Sequence, residues 1–74
     1  MNIKVKFFAT FRQNREKIID IKVEQICTVE EILNRVEIEF QEIAILLVNG
    51  LDAKVEHILQ DGDVVSLFPP VGGG

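Results

Sequence analysis

Two stretches near the N-terminus alternate apolar and polar residues with a period of two. The apolar members are Ile3, Val5 and Phe7 in the first stretch and Ile19, Ile21 and Val23 in the second. This period is typical of a strand with one buried face. The polar, basic stretch over residues 9–16 is predicted to be a hairpin loop between them. We therefore expect the odd-numbered apolar residues of both strands to share one core.

The spacing of apolar residues changes to a helical period after residue 27. Thr28 followed by Glu31 is a capping box, in which a hydroxyl and a carboxylate each satisfy a backbone amide at a helix start. The apolar residues that follow form one stripe, at Val29, Ile32, Leu33, Val36 and Phe40. The sequence therefore predicts an amphipathic helix of about three turns that lies across a sheet.

The C-terminal half is predicted to contain three further strands. Residues 43–48 are a continuous apolar run, and Asn49-Gly50 after it is a strong tight-turn signal. The remaining predicted elements are a short strand over residues 51–55, a helical turn over 57–59, a turn over 61–63 and a last strand over 64–68. Proline cannot donate to a sheet ladder, so Pro69 ends the last strand.

This order of elements predicts an α+β chain. A hairpin, a helical crossing and a final strand beside the first give a β-grasp (ubiquitin-like) fold, with a mixed sheet of four to five strands and one main helix packed on one face. Residues 1–68 are assigned to this domain and residues 69–74 to an extended C-terminal tail ending in Gly-Gly. With 74 residues the chain has room for one domain.

Composition and charge exclude several functional classes. One cysteine forms no internal disulfide, and Cys27 with the single histidine, His57, is too small a set for a zinc site, so no bound metal or cofactor is expected. The net charge of −4 argues against nucleic acid as a partner. We expect no membrane span and no signal segment, and hence a cytoplasmic protein, because the long apolar runs that those need are missing.

The charge is unevenly distributed along the chain. Residues 1–24 carry a net charge of +3, and residues 25–74 carry −7. One interpretation is two solvated faces of opposite sign. The other is a surface that steers a charged protein partner.

The C-terminal tail carries the strongest functional signal. It consists of Pro69, Pro70, Val71, Gly72, Gly73 and Gly74. Its polyproline start is stiff and extended, and six extended residues span roughly 20 Å, enough to enter a deep active site of another protein. The glycines leave the terminal carboxylate unobstructed and allow the backbone to pass through a narrow channel. The alternative is a flexible terminus or cloning remnant.

A terminal carboxylate reacts only after activation, usually by attack on the α-phosphate of ATP to give an acyl-adenylate. Sulfur then converts this mixed anhydride to a thiocarboxylate, or an amine converts it to an amide. The sequence contains no phosphate-binding motif. We therefore expect another protein to activate the tail and this chain to be a substrate and carrier, with the catalytic residues on the partner.

Four segments together support a family assignment. They are Val5-Lys6-Phe7-Phe8-Ala9, Val48-Asn49-Gly50, Leu59-x-Asp61-Gly62-Asp63-Val64, and Phe68-Pro69-Pro70-Val71-x-Gly73-Gly74. In this order they resemble the small subunit of molybdopterin synthase, the MoaD family of the MoaD/ThiS ubiquitin-like superfamily. The chain is shorter than many relatives around residues 9–16, and Gly72 makes its tail looser.

The resemblance implies a role in molybdenum cofactor biosynthesis. A ubiquitin-activating-type enzyme (MoeB-like) would adenylate Gly74 with ATP and magnesium, and a sulfurtransferase would supply the sulfur of a C-terminal thiocarboxylate. The tail would then enter the large subunit of molybdopterin synthase (MoaE-like), in a complex of two small and two large subunits. There the sulfur would pass to the pterin precursor.

Three alternative functions remain open at this point. The first is the same sulfur chemistry with another recipient, as in thiazole synthesis for thiamine by ThiS. The second is a protein modifier that joins its terminal glycine to lysine side chains, as ubiquitin does. The third is a passive interaction module with an incidental glycine tail.

Two aromatic residues are candidates for a partner-docking patch. Phe8 is out of phase with the buried residues of the first strand, and Phe68 is expected on the same outer side of the last strand. If these strands are neighbours, the two rings form one exposed patch, and clustered exposed aromatics usually mark a protein contact. The alternative is a twisted sheet edge that the loop around Phe11 covers.

The remaining chemically capable side chains are given structural roles. Cys27 lies near glutamates that raise a thiol pKa, and His57 lies among apolar residues. The acidic pairs Glu30-Glu31 and Asp61-Asp63 fit helix-start electrostatics and turn chemistry. We expect three basic residues in the predicted loop or directly after it, Arg12, Arg15 and Lys17, to be solvated or to contact the activating enzyme.

Overall fold

The computed structural model describes residues 1–70. Their strands are β1 (Asn2–Phe7), β2 (Ile18–Lys22), β3 (Cys27–Thr28), β4 (Ile45–Val48), β5 (Leu51–Asp52), β6 (Ile58–Leu59) and β7 (Val64–Phe68). The α-helix α1 is Val29–Arg35, and 3₁₀ helices lie at Ala9–Arg12 and Phe40–Glu42.

Five of these strands form a mixed sheet in the order β2-β1-β7-β4-β5. β1 and β7, from opposite ends of the chain, are parallel neighbours, and the other pairs are antiparallel. The two remaining strands, β3 and β6, pair with each other. The predicted β-grasp fold is therefore confirmed, with α1 on one face of the sheet and an open face opposite.

The core lies between α1 and the sheet. Alternate residues of β1, which are Ile3, Val5 and Phe7, are fully buried against Val29, Ile32 and Leu33 of the helix. Val65 and Leu67 of β7 are buried in the same cluster. The period-two pattern of the first strand thus predicted its buried face correctly.

The helix is shorter than the sequence predicted. Of the predicted capping box the structure shows the Thr28 half, in which Oγ1 accepts a hydrogen bond from the Glu31 amide at 3.4 Å, and α1 begins at the predicted position. It ends at Arg35, and Glu37 has a left-handed backbone with a φ of 60°. This reversal changes the phase of the side chains that follow. As a result Ile38 is 3% exposed and Phe40, which was expected on the buried stripe, is 56% exposed.

The prediction of a helical turn over residues 57–59 is wrong. Ile58 and Leu59 form β6, in which Leu59 lies opposite Cys27 and is buried. The Val29 amide donates to the His57 carbonyl at 3.0 Å, which continues this pairing to the start of α1. A distant strand therefore determines the backbone conformation here.

The predicted turns between the C-terminal strands are present. Asn49 and Gly50 both have positive φ angles, 53° and 83°, as a tight hairpin turn of the primed type requires. The Asn49 side-chain amide donates to Asp63 Oδ1 at 2.9 Å, and its Oδ1 accepts from the Val64 amide at 2.9 Å. These bonds join the β4–β5 turn to the start of β7.

A candidate docking site at the base of the tail

The end of β7, from which the tail continues, is fixed on both sides. The Phe8 amide donates to the Leu67 carbonyl at 3.2 Å, and the Ala44 amide donates to the Phe68 carbonyl at 2.8 Å. Pro69 is half-buried and Pro70 is exposed. The chain therefore leaves the domain at a defined point between β1 and β4.

Phe8 and Phe68 come together at this point. Their ring centroids are 4.2 Å apart and their planes differ by 8°, so the rings are stacked. Both side chains are half-buried. The structure thus places the two residues of the predicted patch in contact, on the open face of the sheet and beside the tail.

Two residues of β4 extend this aromatic pair. Ile45 lies directly opposite Phe68 in the sheet, and Leu47 lies opposite Ser66. Residues opposite each other on adjacent strands present their side chains to the same face. Ile45 is 48% exposed and Leu47 is half-buried. We call the four residues Phe8, Phe68, Ile45 and Leu47 the tail-base patch.

Three basic side chains lie next to Phe8, at one side of the tail-base patch. The guanidinium carbon of Arg12 lies 5.4 Å from the centroid of the Phe8 ring, and its Nε donates to the Phe7 carbonyl at 2.9 Å. Lys6 and Lys17 line a small cleft of about 190 Å³ on the same side of Phe8. Part of the positive charge of the N-terminal third therefore lies beside the exit of the tail.

The chemistry of this site suits binding. Its side chains are aromatic rings, aliphatic groups and cations, which give apolar contact area and charge steering. Arg12 is exposed, as the sequence predicted, and it also contacts the Phe7 carbonyl and the Phe8 ring. Arg15, although exposed, also donates to a carbonyl, that of Phe11 at 3.4 Å.

The reactive end of the predicted tail is not part of the described structure. Val71, Gly72, Gly73 and Gly74 lie outside the described residues. The assignment of an activated carboxylate to Gly74 therefore remains a prediction. What the structure shows is the anchored base from which those residues follow.

Cys27 has the surroundings of an inert thiol. Its side chain is 1% exposed, and its Sγ donates to the Thr28 carbonyl at 3.3 Å. Burial raises the pKa of the Cys27 thiol, and hydrogen bonding to Glu31 and the charge of that carboxylate raise it further, against a smaller opposing effect of Arg35. The thiol is therefore protonated at neutral pH and a poor nucleophile.

The other chemically capable residues are dispersed. His57 is exposed at the start of β6, and Asp61 accepts from the Asn2 amide at 2.6 Å. Asp63 accepts from the Gln60 amide at 2.8 Å, so the acidic pair stabilises its turn as expected. Among residues 1–70 no group of three or more histidine, cysteine or acidic side chains is placed to bind a metal ion. Within the same residues no helix is long and apolar enough to cross a bilayer.

The sequence did not identify Ile45 and Leu47 as site residues. Residues 43–48 are apolar at every position, so no alternation separates a buried face from an open one. The pairing of β4 with β7 determines the faces, and this register involves residues distant in the chain. The sequence alone therefore does not place Ile45 beside Phe68. The two residues can be assigned to the same face only when the register of β4 and β7 is known.

This chain matches one family model and one curated protein over nearly its whole length. A sequence model of the ThiS family matches residues 5–74. Small archaeal modifier protein 3 of Haloferax volcanii is 35% identical over an alignment of 92 positions that covers both chains completely.

Two solved structures are similar to this chain in both sequence and fold. A Pyrococcus furiosus protein assigned to subunit 1 of molybdopterin converting factor is 30% identical, with a TM-score of 0.77 over 96% of this chain and 99% of that one. A chain in the complex of subunits 1 and 2 of molybdopterin-converting factor from Helicobacter pylori is also 30% identical. Its TM-score is 0.67, with both chains fully covered.

Proposed function

The chain belongs to the ThiS family, and from this we propose that it is a ubiquitin-like sulfur carrier whose Gly74 carboxylate becomes a thiocarboxylate. The observation that carries the proposal is the anchored end of β7. Hydrogen bonds from Phe8 and Ala44 fix the residues from which Pro69 and Pro70 continue toward the terminal glycines. An active site that binds this domain would meet the start of the tail, Pro69 and Pro70, at a fixed position.

The proposed activation proceeds in two steps on a partner enzyme. A Gly74 carboxylate oxygen attacks the α-phosphorus of magnesium-bound ATP, so that a C–O–P linkage forms and pyrophosphate leaves. Hydrosulfide delivered through a sulfurtransferase then attacks the acyl carbon, a C–S bond forms, and AMP leaves with the former bridging oxygen, which gives the thiocarboxylate. This chain contributes the carboxylate and its presentation, and the partners supply the nucleotide site and the sulfur.

We propose the pterin precursor of molybdopterin as the recipient of the sulfur. Similarity to the Pyrococcus protein and to a chain of the Helicobacter two-subunit complex supports this recipient and a large-subunit partner. The tail-base patch is the proposed contact with both the activating enzyme and the large subunit. Its exposed Ile45 and stacked Phe8–Phe68 pair supply apolar area at the point where the tail enters the partner.

A second function has specific support. The Haloferax relative is a small archaeal modifier protein and matches over the full length of both chains. The same acyl-adenylate would then be attacked by a lysine amine, which forms an amide to another protein. Both functions use the Gly74 carboxylate and differ in the nucleophile.

Intact-mass analysis of the chain purified from its own host tests the proposal. Exchange of one carboxylate oxygen for sulfur at Gly74 is the expected result for the carrier, whereas glycine remnants on lysines of other host proteins would assign the modifier function. A chain lacking Gly74 should keep its fold and lose both products. Lys54→Ala, a change at an exposed residue outside the tail and the tail-base patch, is the control. An unmodified terminus in the presence of ATP and the host's activating enzyme contradicts the proposal.

A further inference from the structure

The edge strand β2 borders an apolar groove on the helix side of the sheet. The groove has a volume of about 390 Å³ and lies between β2 and the end of α1. Its apolar lining is Phe7, Ile19, Ile21 and Val36, and its charged lining is Arg15, Glu16 and Arg35. The tail-base patch lies on the opposite, open face, so the two surfaces are separate.

The backbone of β2 has hydrogen-bonding groups that point away from the sheet. The Phe7 amide donates to the Lys17 carbonyl, and the Val23 amide donates to the Met1 carbonyl. Bonded pairs alternate in an antiparallel ladder, so Ile19 and Ile21 bond to β1 while the peptide groups of Ile18 and Asp20 point outward. β2 is the outer strand on this side, so these groups face the free edge.

Both ends of the groove carry an arginine. The guanidinium carbon of Arg15 lies 5.7 Å from the centroid of the Phe7 ring. At the other end, Arg35 Nη1 donates to the Lys22 carbonyl at 3.0 Å. Lys17 and Lys22 add two cations along the strand, and Glu16 and Asp20 are the acidic residues among them. The groove lining, with Arg15 and Arg35 against Glu16, therefore carries a net charge of +1, and Glu24 and Glu31 line a neighbouring cleft with Lys22 and Arg35.

We propose that β2 and this groove bind an extended segment of a partner protein, with aliphatic residues at alternate positions and acidic residues at both ends. The segment adds to the sheet as a new edge strand, through hydrogen bonds with Ile18 and Asp20. Alternate side chains of such a strand point to the same face, and those facing the helix side enter the groove beside Ile19 and Ile21. The flanking carboxylates bind Arg15 and Arg35, whose planar guanidinium groups match carboxylate geometry.

A second copy of this chain fits the edge less well. Antiparallel pairing of two β2 strands about their centre places Asp20 opposite Asp20 of the other copy, and like charges directly opposite each other destabilise a sheet. An acidic, aliphatic strand has the complementary charge. The proposal adds a binding function to the carrier and does not depend on the chemistry of Gly74.

Titration of the ¹⁵N-labelled full chain with a synthetic decapeptide tests the proposal. The peptide has valines alternating with threonines at its centre and two aspartates at each end. We expect saturable amide shifts concentrated at Ile18, Asp20 and Lys22, and slower hydrogen exchange of the Ile18 and Asp20 amides. A peptide with lysines in place of the aspartates should bind at least about threefold more weakly.

Two variants test the contacts separately. Asp20→Pro removes an outward amide without removing a bond to β1, which an edge strand tolerates, and should weaken binding about two- to tenfold relative to Asp20→Ala. Arg15→Glu should weaken it about three- to tenfold, whereas Lys54→Glu, an equal charge change outside the groove, should not. Spectra of the free variants establish that each is folded.

Several results would overturn the proposal. One is a set of shifts centred on Phe8 and Phe68, which would assign the peptide to the tail-base patch. Others are equal binding of the aspartate and lysine peptides, or binding unaffected by Asp20→Pro and Arg15→Glu. Shifts of the β2 amides with chain concentration in the absence of peptide would assign the edge to self-association.

Discussion

The surroundings of Cys27 make its thiol a stabilising part of the core at neutral pH. The side chain is buried under Leu59 of the neighbouring strand, and burial raises its pKa above the ordinary thiol value of 9.0, with Glu31 acting in the same direction. The sequence indicated this role through the glutamates nearby. It did not indicate the burial, because the strand that covers Cys27 is distant in the chain.

The raised pKa of Cys27 predicts a pH dependence of stability. Well below pH 9.0 the thiol is protonated in both the folded and the unfolded chain, and its contribution is constant. Above that pH the unfolded chain loses the proton first, so the free energy of unfolding falls until the folded thiol also ionises. Urea denaturation of the wild type and Cys27→Ala from about pH 8 to 10.5 measures this. The stability advantage of the wild type should shrink with rising pH, and a constant difference would contradict the prediction.

Asn49 has two roles, of which the sequence predicted one. Its role in the hairpin turn was predicted, and its contact with the start of β7 was not. Asn-Gly is a known signal for a tight hairpin turn, and Asn49 and Gly50 adopt the positive φ angles that such a turn needs. The bonds from the Asn49 side chain to Asp63 and Val64 connect two segments that no local pattern relates. Local backbone preference was therefore predictable, and the tertiary contact was not.

At the scale of elements, the helix shows the limit of periodicity. The spacing of apolar residues predicted a helix with a buried stripe that extends to Phe40. In the structure α1 ends at Arg35, and Glu37 takes a left-handed conformation. The spacing of apolar residues predicts which of them share a buried face in a regular helix. It does not predict where the backbone leaves the helix. The start of the helix was predicted correctly because a cap is a local signal.

Loss of the Thr28 cap should destabilise the whole domain. Thr28→Ala removes the oxygen that accepts from the Glu31 amide and should lower the free energy of unfolding by about 1 kcal/mol. Thr28→Ser keeps a hydroxyl at the cap and should retain most of the stability. Urea denaturation at neutral pH compares the three chains. Equal losses in the alanine and serine variants would show that the cap is not the cause.

At the scale of the whole molecule, the sheet has one covered and one open face. The helix side is filled by apolar residues of β1, β7 and α1. The open side presents the tail-base patch beside the tail, next to cations from the N-terminal third. The sequence predicted the layering and the placement of Phe8 and Phe68 on one outer face, whereas the stacking of their rings and the contribution of β4 depended on the tertiary structure.

A charge placed in the tail-base patch should block the partner reaction without unfolding the chain. Ile45→Glu changes a side chain that is 48% exposed, so the fold should persist. We expect the rate of the proposed ATP-dependent modification of Gly74 by an activating enzyme to fall at least about tenfold, as for a central interface residue. Leu51→Glu, at an equally apolar and more exposed position outside the patch, is the matched control. Equal rates for both variants would place the contact elsewhere.

The central parallel pair of β1 and β7 has a consequence for synthesis of the protein. Val5 and Val65 lie opposite each other, so the middle of the sheet forms only after nearly the whole chain has left the ribosome. A chain that ends before β7 lacks the strand that completes the core. A binding partner that contacts the finished sheet would therefore not bind such a fragment, and it would discriminate the folded domain from incomplete chains.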